Sequence, residues 1–482
     1  MDYREICDKI KNLDLESTEI VAVEHITNGS VKLSEERTVN DMPDFTRVVL
    51  HATPSTSSNI NIEVWLPDNF NDTLYISANG GMAGSMIYDG MIPFVRDGYA
   101  IAKTDMGTSG GVKRGVKNPE LWKDFGWRST CMEAEFGKKI ASAYYGRDDF
   151  KTYFLGLSTG GQQAFCMLER KPELFDGIIV GAPANNRTHL HTYMLWNHVH
   201  LRTRDGKVMF SDEEIKNITA TAIEFYQSKG DGEKGDNFIT KPQQTPQIIE
   251  EFLKFLENKF PCFTAQQIES LRAVYNGPVN PVTKKRIYCG MPMGSESNGG
   301  GISSCQDSKP SLLFPFDWVY GEDYNYHDFD FNEDMEAFDK LVAKDFNAVS
   351  FNIDRFINKG GKLFIFAATG DPCVPFPDAI RVLKGIAKKY PNYKDFCRMY
   401  LVAGQDHAVN INRYGEALIN GEHSVSWALP ILDKWCRDKI TPDFIDYKTS
   451  KDATDYRRMY PVNPDDYDDE NLFVTHEDYL KF

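Results

Sequence analysis

The first third of the chain contains segments in which polar and apolar side chains alternate. Residues 59–66 (NINIEVWL) show this alternation most clearly, and Pro67 and Asp68 end the run. A period of two predicts a half-buried strand. Short apolar runs follow at 73–78 and 99–104. Such runs are typical of strands that are buried on both faces of a sheet.

Apolar runs and segments with helical spacing then alternate along the chain. Because neighbouring parallel strands need a crossover connection, usually a helix, this alternation predicts an α/β fold with a mainly parallel sheet. The further predicted strands are 152–157, 175–180, 361–369 and 397–402, and the predicted helices are 132–145, 379–389 and 424–439.

The alternation breaks between residues 189 and 348. This stretch is rich in glycine, asparagine, aspartate and aromatic residues, and only isolated helices are predicted in it, such as 212–227 and 264–275. We therefore predict one α/β domain formed by residues 1–188 and 349–482. Residues 189–348 are a large insertion into that domain.

The charge balance excludes some classes of partner. The 482 residues include 54 basic and 70 acidic side chains, which gives a formal net charge of −16. An acidic surface repels phosphate backbones and anionic lipid headgroups, so we expect neither nucleic acid nor a membrane as a partner. The chain has no run of about 18 apolar residues, so no transmembrane helix is predicted.

The nine cysteines favour a reducing compartment. They are scattered, odd in number and never spaced as CxxC, which argues against a structural zinc site and a fully paired disulfide framework. Residues 1–18 show no basic region followed by an apolar one, as a secretory signal would. We therefore expect a cytoplasmic protein, or a secreted one if a signal peptide has been removed.

The pentapeptide at 156–160 (GLSTG) fits the pattern G-x-S-x-G. A predicted strand precedes it and a helix opened by glycine follows it, which is the context of a nucleophile elbow. In such an elbow a sharp turn exposes the serine hydroxyl, and small glycines let strand and helix approach. Ser158 is therefore the candidate nucleophile. An ordinary tight turn with a solvated serine is the alternative.

A serine nucleophile needs a base, and the base needs an orienting carboxylate. In this fold the chain order is serine, acid, histidine, with the last two in loops that follow later strands. Asp371 follows the strand predicted at 361–369, and His407 follows the strand predicted at 397–402. Asp406 is a rival acid, but a sequence neighbour rarely folds back onto its own imidazole.

Other histidines offer a different chemistry. His189, His191, His198 and His200 form two H-x-H pairs, a spacing that could ligate a metal if a carboxylate converged on it. No HExxH pattern accompanies them, so histidines lining the edge of the insertion are the preferred interpretation.

The negative charge that develops on the ester oxygen needs preorganised donors. One is predicted to be the backbone N–H of Thr159, the residue after the nucleophile. The second is predicted to be the backbone N–H of Gly81. It lies in the loop after the strand at 73–78, formed by residues 79–82 (NGGM). A plain Gly-Gly turn is the alternative for this loop.

The chain contains several further ordered blocks, at residues 62–67, 79–84, 98–100, 104–105, 153–161, 175–184, 264–267, 274–278, 294–296 and 360–363. Through these blocks the chain resembles the tannase and feruloyl esterase family of α/β-hydrolases. This family also includes the enzyme that hydrolyses mono(2-hydroxyethyl) terephthalate. The resemblance implies an α/β-hydrolase fold in which residues 189–348 form a lid domain, and a triad of Ser158, Asp371 and His407. It also implies substrates that are esters of aromatic carboxylic acids.

Two departures from the family pattern bear on compartment and cofactor. The resemblance implies bridged cysteines next to the serine and the histidine, but Leu157 and Ala408 stand there, which fits a reducing compartment. It also implies a calcium loop in the lid, where Asp231 and Asp236 are weak candidate ligands. Lys234 stands where a carboxylate would, and an ammonium opposes cation binding, so calcium is disfavoured and no cofactor is expected to be required.

These observations predict a serine esterase that acts on a small-molecule ester through an acyl-enzyme intermediate. The expected acyl groups are aromatic, of the feruloyl, hydroxycinnamoyl or galloyl type. A nonaromatic or terephthalate-type ester is the alternative substrate. A metal-dependent hydrolase that uses the H-x-H pairs is the alternative mechanism, and a catalytically silent binding protein with the same fold is a further alternative.

Overall fold

The structure is a computed structural model that describes residues 3–233, 235–407, 409, 426–447 and 457–467. The strands are β1 (Thr18–Ile26), β2 (Ser30–Lys32), β3 (Thr38–Asn40), β4 (Phe45–Ala52), β5 (Ile60–Pro67), β6 (Thr73–Ser77), β7 (Ala100–Thr104), β8 (Lys151–Leu157), β9 (Gly177–Gly181), β10 (Lys362–Ala368), β11 (Cys397–Val402), β12 (Ile445–Tyr447) and β13 (Arg457–Met459).

Helices follow most of the predicted helical segments and add others. They are α1 (Tyr3–Lys11), α2 (Ile92–Arg96), α3 (Val112–Gly115), α4 (Pro119–Lys123), α5 (Ser129–Tyr145), α6 (Thr159–Arg170), α7 (Arg187–Leu201), α8 (Asp212–Ser228), α9 (Pro246–Lys259), α10 (Ala265–Asn276), α11 (Ile302–Cys305), α12 (Phe314–Tyr320), α13 (Glu333–Phe346), α14 (Asp354–Asn358), α15 (Phe376–Lys389) and α16 (Leu429–Asp438).

One sheet dominates the described residues and has the strand order β1-β4-β5-β7-β6-β8-β9-β10-β11. Strands β1, β4, β5 and β7 pair in antiparallel fashion, whereas β7, β6 and β8 are parallel. Every residue of β6 and of β7 is buried, as their apolar runs predicted. The predicted α/β fold is confirmed. The antiparallel edge is an addition that the strand–helix alternation did not specify.

The chain divides into two compact units. The first takes in the described residues of Met1–Val180, Asn352–Phe364 and Gly415–Pro442. In this unit α5 packs across β5, β6 and β7, and α6 packs against β8. Gly137 lets α5 come close to the sheet, since a Cβ at that position would lie 2.9 Å from the Cβ of Ala102.

The second unit takes in the described residues of Gly181–Phe351, Ile365–Tyr414 and Asp443–Phe482. Within it α7 packs against α10, α11 and α13. Helices α8 and α10 both begin at capping boxes, in which a serine or threonine side chain and a glutamate or glutamine side chain satisfy each other's backbone N–H groups. The proposed domain boundaries at 188/189 and 348/349 stay a prediction.

The predicted closing helix at 424–439 corresponds to α16, which begins at Leu429 after a short 3₁₀ turn. Residues 424 and 425 lie outside the described part of the chain. Pro430 occupies the first turn of α16, where its missing N–H has no helical partner to lose.

Candidate active site

Ser158 alone forms the turn between β8 and α6. β8 ends at Leu157 and α6 begins at Thr159, and the backbone of Ser158 has φ 63° and ψ −117°. A positive φ is unfavourable for a residue with a Cβ and costs about 1–3 kcal/mol. Such strain persists only where the surrounding structure enforces it, and here the sharp turn holds a half-buried serine between a strand end and a helix start.

Two glycines make this turn sterically feasible. A Cβ at Gly156 would lie 2.0 Å from the carbonyl oxygen of Gly160, and a Cβ at Gly160 would lie 2.8 Å from the Cβ of Ala78. Both distances are shorter than any normal carbon contact, so only glycine fits either position. The glycines of the G-x-S-x-G pattern are therefore explained by backbone packing.

The loop after β6 is fixed against the same turn. The side chain of Thr159 donates a hydrogen bond to the carbonyl oxygen of Gly81 at 2.7 Å. The backbone N–H of Asn79 donates to Oε1 of Gln163 at 2.9 Å, and its side-chain amide donates to the carbonyl oxygen of Thr104 at 2.9 Å. The two predicted oxyanion donors, the N–H groups of Thr159 and Gly81, thus belong to segments that hydrogen bond to each other.

Lys103 holds this loop in place, although the sequence pattern did not predict it as part of the site. Its side chain is buried, and Nζ donates to the carbonyl oxygen of Ala78 at 2.8 Å. Burial lowers the pKa of Lys103 to about 8, an effect that the negative charge of buried Glu133 partly opposes. In the sequence Lys103 interrupts an apolar strand, which is the signal that could have marked it as a buried polar group with a partner.

Asp371 and His407 meet within the second unit. Nδ1 of His407 lies 2.7 Å from Oδ2 of Asp371, which is fully buried. The other carboxylate oxygen, Oδ1, accepts the backbone N–H groups of Cys373 at 2.8 Å and Val374 at 3.0 Å. These two bonds fix the carboxylate plane, so Oδ2 is presented to the imidazole.

Two carboxylates act on the imidazole, but in different ways. Burial of His407 lowers its pKa, yet the charge and hydrogen bond of Asp371, together with the charge of Asp406, outweigh burial and raise it. The imidazole hydrogen bonds to Asp371, and the charge of the exposed Asp406 also raises the pKa of His407. Ser158 belongs to the first unit, and the Asp371–His407 pair belongs to the second.

The loop that carries Asp371 is held by side chains that are distant in sequence. The hydroxyl of Tyr193 in α7 donates to the carbonyl oxygen of Pro372 at 2.8 Å, and Nδ2 of Asn298 donates to the carbonyl oxygen of Gly370 at 2.7 Å. Nothing in the sequence pattern connects these side chains with residues more than 70 positions away. They are positioning groups that only the folded structure identifies.

The H-x-H histidines are engaged in hydrogen bonds within the fold. Nδ1 of each of the four lies 2.6 to 2.8 Å from a backbone carbonyl oxygen. Because a carbonyl oxygen only accepts, each Nδ1 carries a proton. Within the described residues none of the four belongs to a group of three ligands close enough to hold a metal. Their role is in the packing of α7. The histidines are His189, His191, His198 and His200.

The donor set of the candidate calcium loop does not fit calcium. The carboxylate of Asp231 accepts backbone N–H groups from residues 240–241, and that of Asp236 forms a two-pronged ion pair with Arg457. Calcium takes six to eight oxygen ligands, and a guanidinium beside Asp236 offers only donors. Lys234 lies outside the described residues.

The cysteines are free thiols in the structure. All nine lie in the described part of the chain and none is paired. At the two positions where the family resemblance implies a bridge, Leu157 is a half-buried apolar residue, and Ala408 lies outside the described residues. No helix in the described residues combines the length and the apolar character needed to cross a bilayer.

Comparison with solved structures gives the fold. A feruloyl esterase B from Aspergillus oryzae superposes with a TM-score of 0.79 at 19% identity, over 95% of this chain and 96% of that one. Tannin acyl hydrolase from Aspergillus niger superposes with a TM-score of 0.73 at 16% identity, over 99% and 98%. The fold is that of an α/β-hydrolase, as predicted.

Sequence comparison then gives the family. Residues 46–464 match the family described as tannase and feruloyl esterase, and the chain belongs to that family. A probable feruloyl esterase B-1 from Aspergillus oryzae is 26% identical over 474 residues, which cover 92% of this chain and 86% of the relative. The resemblance found in the sequence is confirmed, and the protein is a carboxylic ester hydrolase.

Proposed function

We propose that the protein is a serine esterase that hydrolyses esters of aromatic carboxylic acids through an acyl-enzyme intermediate. The observation that carries this proposal is the 2.7 Å hydrogen bond from His407 to Asp371. Because Oδ2 of Asp371 accepts the Nδ1 proton, Nε2 of the neutral ring is left as a free base. The strained turn at Ser158 supports the same proposal.

In the proposed mechanism Ser158 Oγ attacks the ester carbonyl carbon while Nε2 of His407 takes the hydroxyl proton. The resulting oxyanion accepts hydrogen bonds from the backbone N–H groups of Thr159 and Gly81. Collapse breaks the ester C–O bond, and the imidazolium returns its proton to the departing alcohol. Water, activated by the same imidazole, then attacks the acyl-enzyme and releases the acid and Ser158. Asp371 holds the ring and stabilises its charged form.

Two similar proteins support the proposed substrate class. One is named a probable feruloyl esterase and another a tannin acyl hydrolase. Both names describe enzymes acting on acyl groups that carry an aromatic ring. A substrate panel of methyl ferulate, methyl gallate, mono(2-hydroxyethyl) terephthalate and an aliphatic ester of equal length tests this assignment. Preference for the aliphatic ester would contradict the aromatic class.

The serine mechanism is tested by Ser158→Ala, with Ser34→Ala as a matched control at an exposed loop position. We expect Ser158→Ala to lose more than ~10³-fold in kcat, because the covalent route is closed. A fluorophosphonate probe should label the wild-type protein and Ser34→Ala but leave Ser158→Ala unlabelled. Unchanged turnover or unchanged labelling in Ser158→Ala would remove this serine from the mechanism.

We also propose that the protein works in a reducing compartment such as the cytoplasm. The support is chemical: its nine cysteines are unpaired, and a leucine stands where the family resemblance implies a bridged cysteine. Thiol titration of protein taken from its native source, unfolded without reductant, should count nine thiols. A count lowered by several disulfides would place the protein in an oxidising compartment instead.

A further inference from the structure

The side chain of Cys373 lies next to the Asp371–His407 pair. One ligand atom from each of Asp371, Cys373 and His407 can be chosen so that all three lie within 4.8 Å of one another. Two of these residues are separated by one position in the loop after β10, and the third comes from the loop after β11. A carboxylate, a thiol and an imidazole from two loops therefore converge on one small volume.

We propose that Asp371, Cys373 and His407 form a binding site for Zn²⁺ and that the bound ion reversibly inhibits the esterase. The inhibitory part rests on the proposed function, in which His407 is the general base. The metal-binding part does not depend on which reaction the protein catalyses.

The spacing of the three groups suits a tetrahedral zinc ion. Zinc lies about 2.0–2.3 Å from nitrogen, oxygen and sulfur ligands, so ligand atoms around a tetrahedral ion lie roughly 3.3–3.8 Å apart. The 2.7 Å bond between the imidazole and the carboxylate must lengthen, and any contact near the 4.8 Å limit must shorten. Rotation of the half-buried side chains of Cys373 and His407 can supply both movements. A water molecule would complete the tetrahedron.

The donor types and local charge favour zinc over hard cations. Thiolate and imidazole are ligands for zinc and its softer neighbours, whereas magnesium and calcium need several oxygen ligands. The charges of the fully buried Asp371 and of Asp406 act on both His407 and Cys373. A divalent cation between these groups is attracted by two carboxylates and by the thiolate that it creates.

Binding moves protons in a way that removes the base. The thiol of Cys373 loses its proton to solvent when the Zn–S bond forms. The Nδ1 proton of His407 moves to Nε2 when the ion takes Nδ1, so the ring stays neutral and one proton is released in total. With Nε2 protonated, the imidazole cannot accept the proton of Ser158, and acylation stops.

The binding test uses Co²⁺ as a spectroscopic probe on the full-length protein after chelator treatment. We expect a near-ultraviolet thiolate-to-cobalt charge-transfer band that added Zn²⁺ abolishes and added Mg²⁺ does not. The band should be present in wild-type protein and in Cys305→Ser, a buried neighbouring thiol outside the cluster, and absent in Cys373→Ser. A wild-type protein without the band, or a Cys373→Ser variant that keeps it, overturns the proposed site.

The inhibition test compares Zn²⁺ dose–response curves within each variant. Removing even an outer-shell group weakens metal affinity about 10–100-fold, so loss of a ligand in Cys373→Ser should weaken inhibition at least that much. Cys305→Ser should keep wild-type sensitivity. Equal sensitivity of wild type and Cys373→Ser overturns the proposal, as does full activity with cobalt bound. If Ser158→Ala shows that the serine mechanism is wrong, the cobalt spectrum still decides the metal site.

Discussion

The hydrogen bond between His407 and Asp371 makes a quantitative prediction for Asp371→Asn. The substitution preserves the shape of the side chain but replaces one acceptor oxygen by an NH₂ group that only donates. Oδ1 of Asp371 accepts two backbone N–H groups, from Cys373 and Val374. The oxygen of the new amide must take that position, since an NH₂ group there would face two donors. The NH₂ group is then directed at the imidazole.

The magnitude follows from the tautomer that this contact imposes. Nδ1 of His407, 2.7 Å from the substituted atom, must now accept, so the ring proton moves to Nε2. The nitrogen that should take the proton of Ser158 is then blocked. In a serine hydrolase this exchange lowers kcat by about 10⁴-fold, which corresponds to about 5.4 kcal/mol in barrier height. Because geometry is retained, KM should change little by comparison.

The assay measures kcat and KM for methyl ferulate over a range of pH, with Asp406→Asn as the control. In the wild type, the pKa of His407 lies above its usual value of 6.5, so kcat/KM should fall as pH drops through a value above 6.5 and the base becomes protonated. Asp406→Asn removes a charge that raises this pKa. It should move the acid limb to lower pH while leaving kcat near the wild-type value.

A loss of less than tenfold in Asp371→Asn, with unchanged folding by circular dichroism, would refute this reasoning. The same conclusion would follow if Asp406→Asn, and not Asp371→Asn, abolished activity. In that case the orienting acid would be the sequence neighbour, and the hydrogen bond to Asp371 would have a structural role only.

Two further predictions concern stability. Gly156→Ala places a Cβ 2.0 Å from a backbone oxygen and should lower the free energy of unfolding, measured by urea titration, by at least about 1–3 kcal/mol. The control Gly80→Ala should have little effect, because no atom lies within 4 Å of the added Cβ. Equal losses in the two variants would contradict the packing described for the turn at Ser158. Arg457→Gln should lower the melting temperature by breaking the ion pair with Asp236. Calcium added to chelator-treated wild-type protein should leave its melting temperature unchanged. A melting temperature that falls with chelator and recovers with calcium would contradict this account of the loop.

The sequence patterns predicted the sheet and the elbow because both leave local signals. The apolar runs that became β6 and β7 are buried, as is the interior of β8, and the turn at Ser158 needs glycine on both sides. The order of Asp371 and His407 could be predicted for a related reason. Each follows the end of a strand, and the folded chain brings the two side chains into hydrogen-bond contact.

Features that depend on tertiary contacts were not predictable. The sequence of helix α7 has no amphipathic pattern because the helix is buried on most sides. Its buried residues include polar ones such as Thr188 and Asn197. In the sequence Lys103 interrupts an apolar strand. Its hydrogen bond to the carbonyl oxygen of Ala78 exists only because β6 lies beside β7 in the folded sheet. The contact of Tyr193 with Pro372 joins residues 179 positions apart. None of these has a signature within a short sequence window.

The left-handed backbone at Ser158 has a consequence for how such a protein can be improved. A residue with a Cβ is strained at this φ, and glycine would relieve the strain. Selection for heat resistance alone would therefore reward a substitution that deletes the proposed nucleophile. Screens for thermostable variants of this hydrolase therefore need an activity assay in every round, because stability and catalysis favour different residues at this turn.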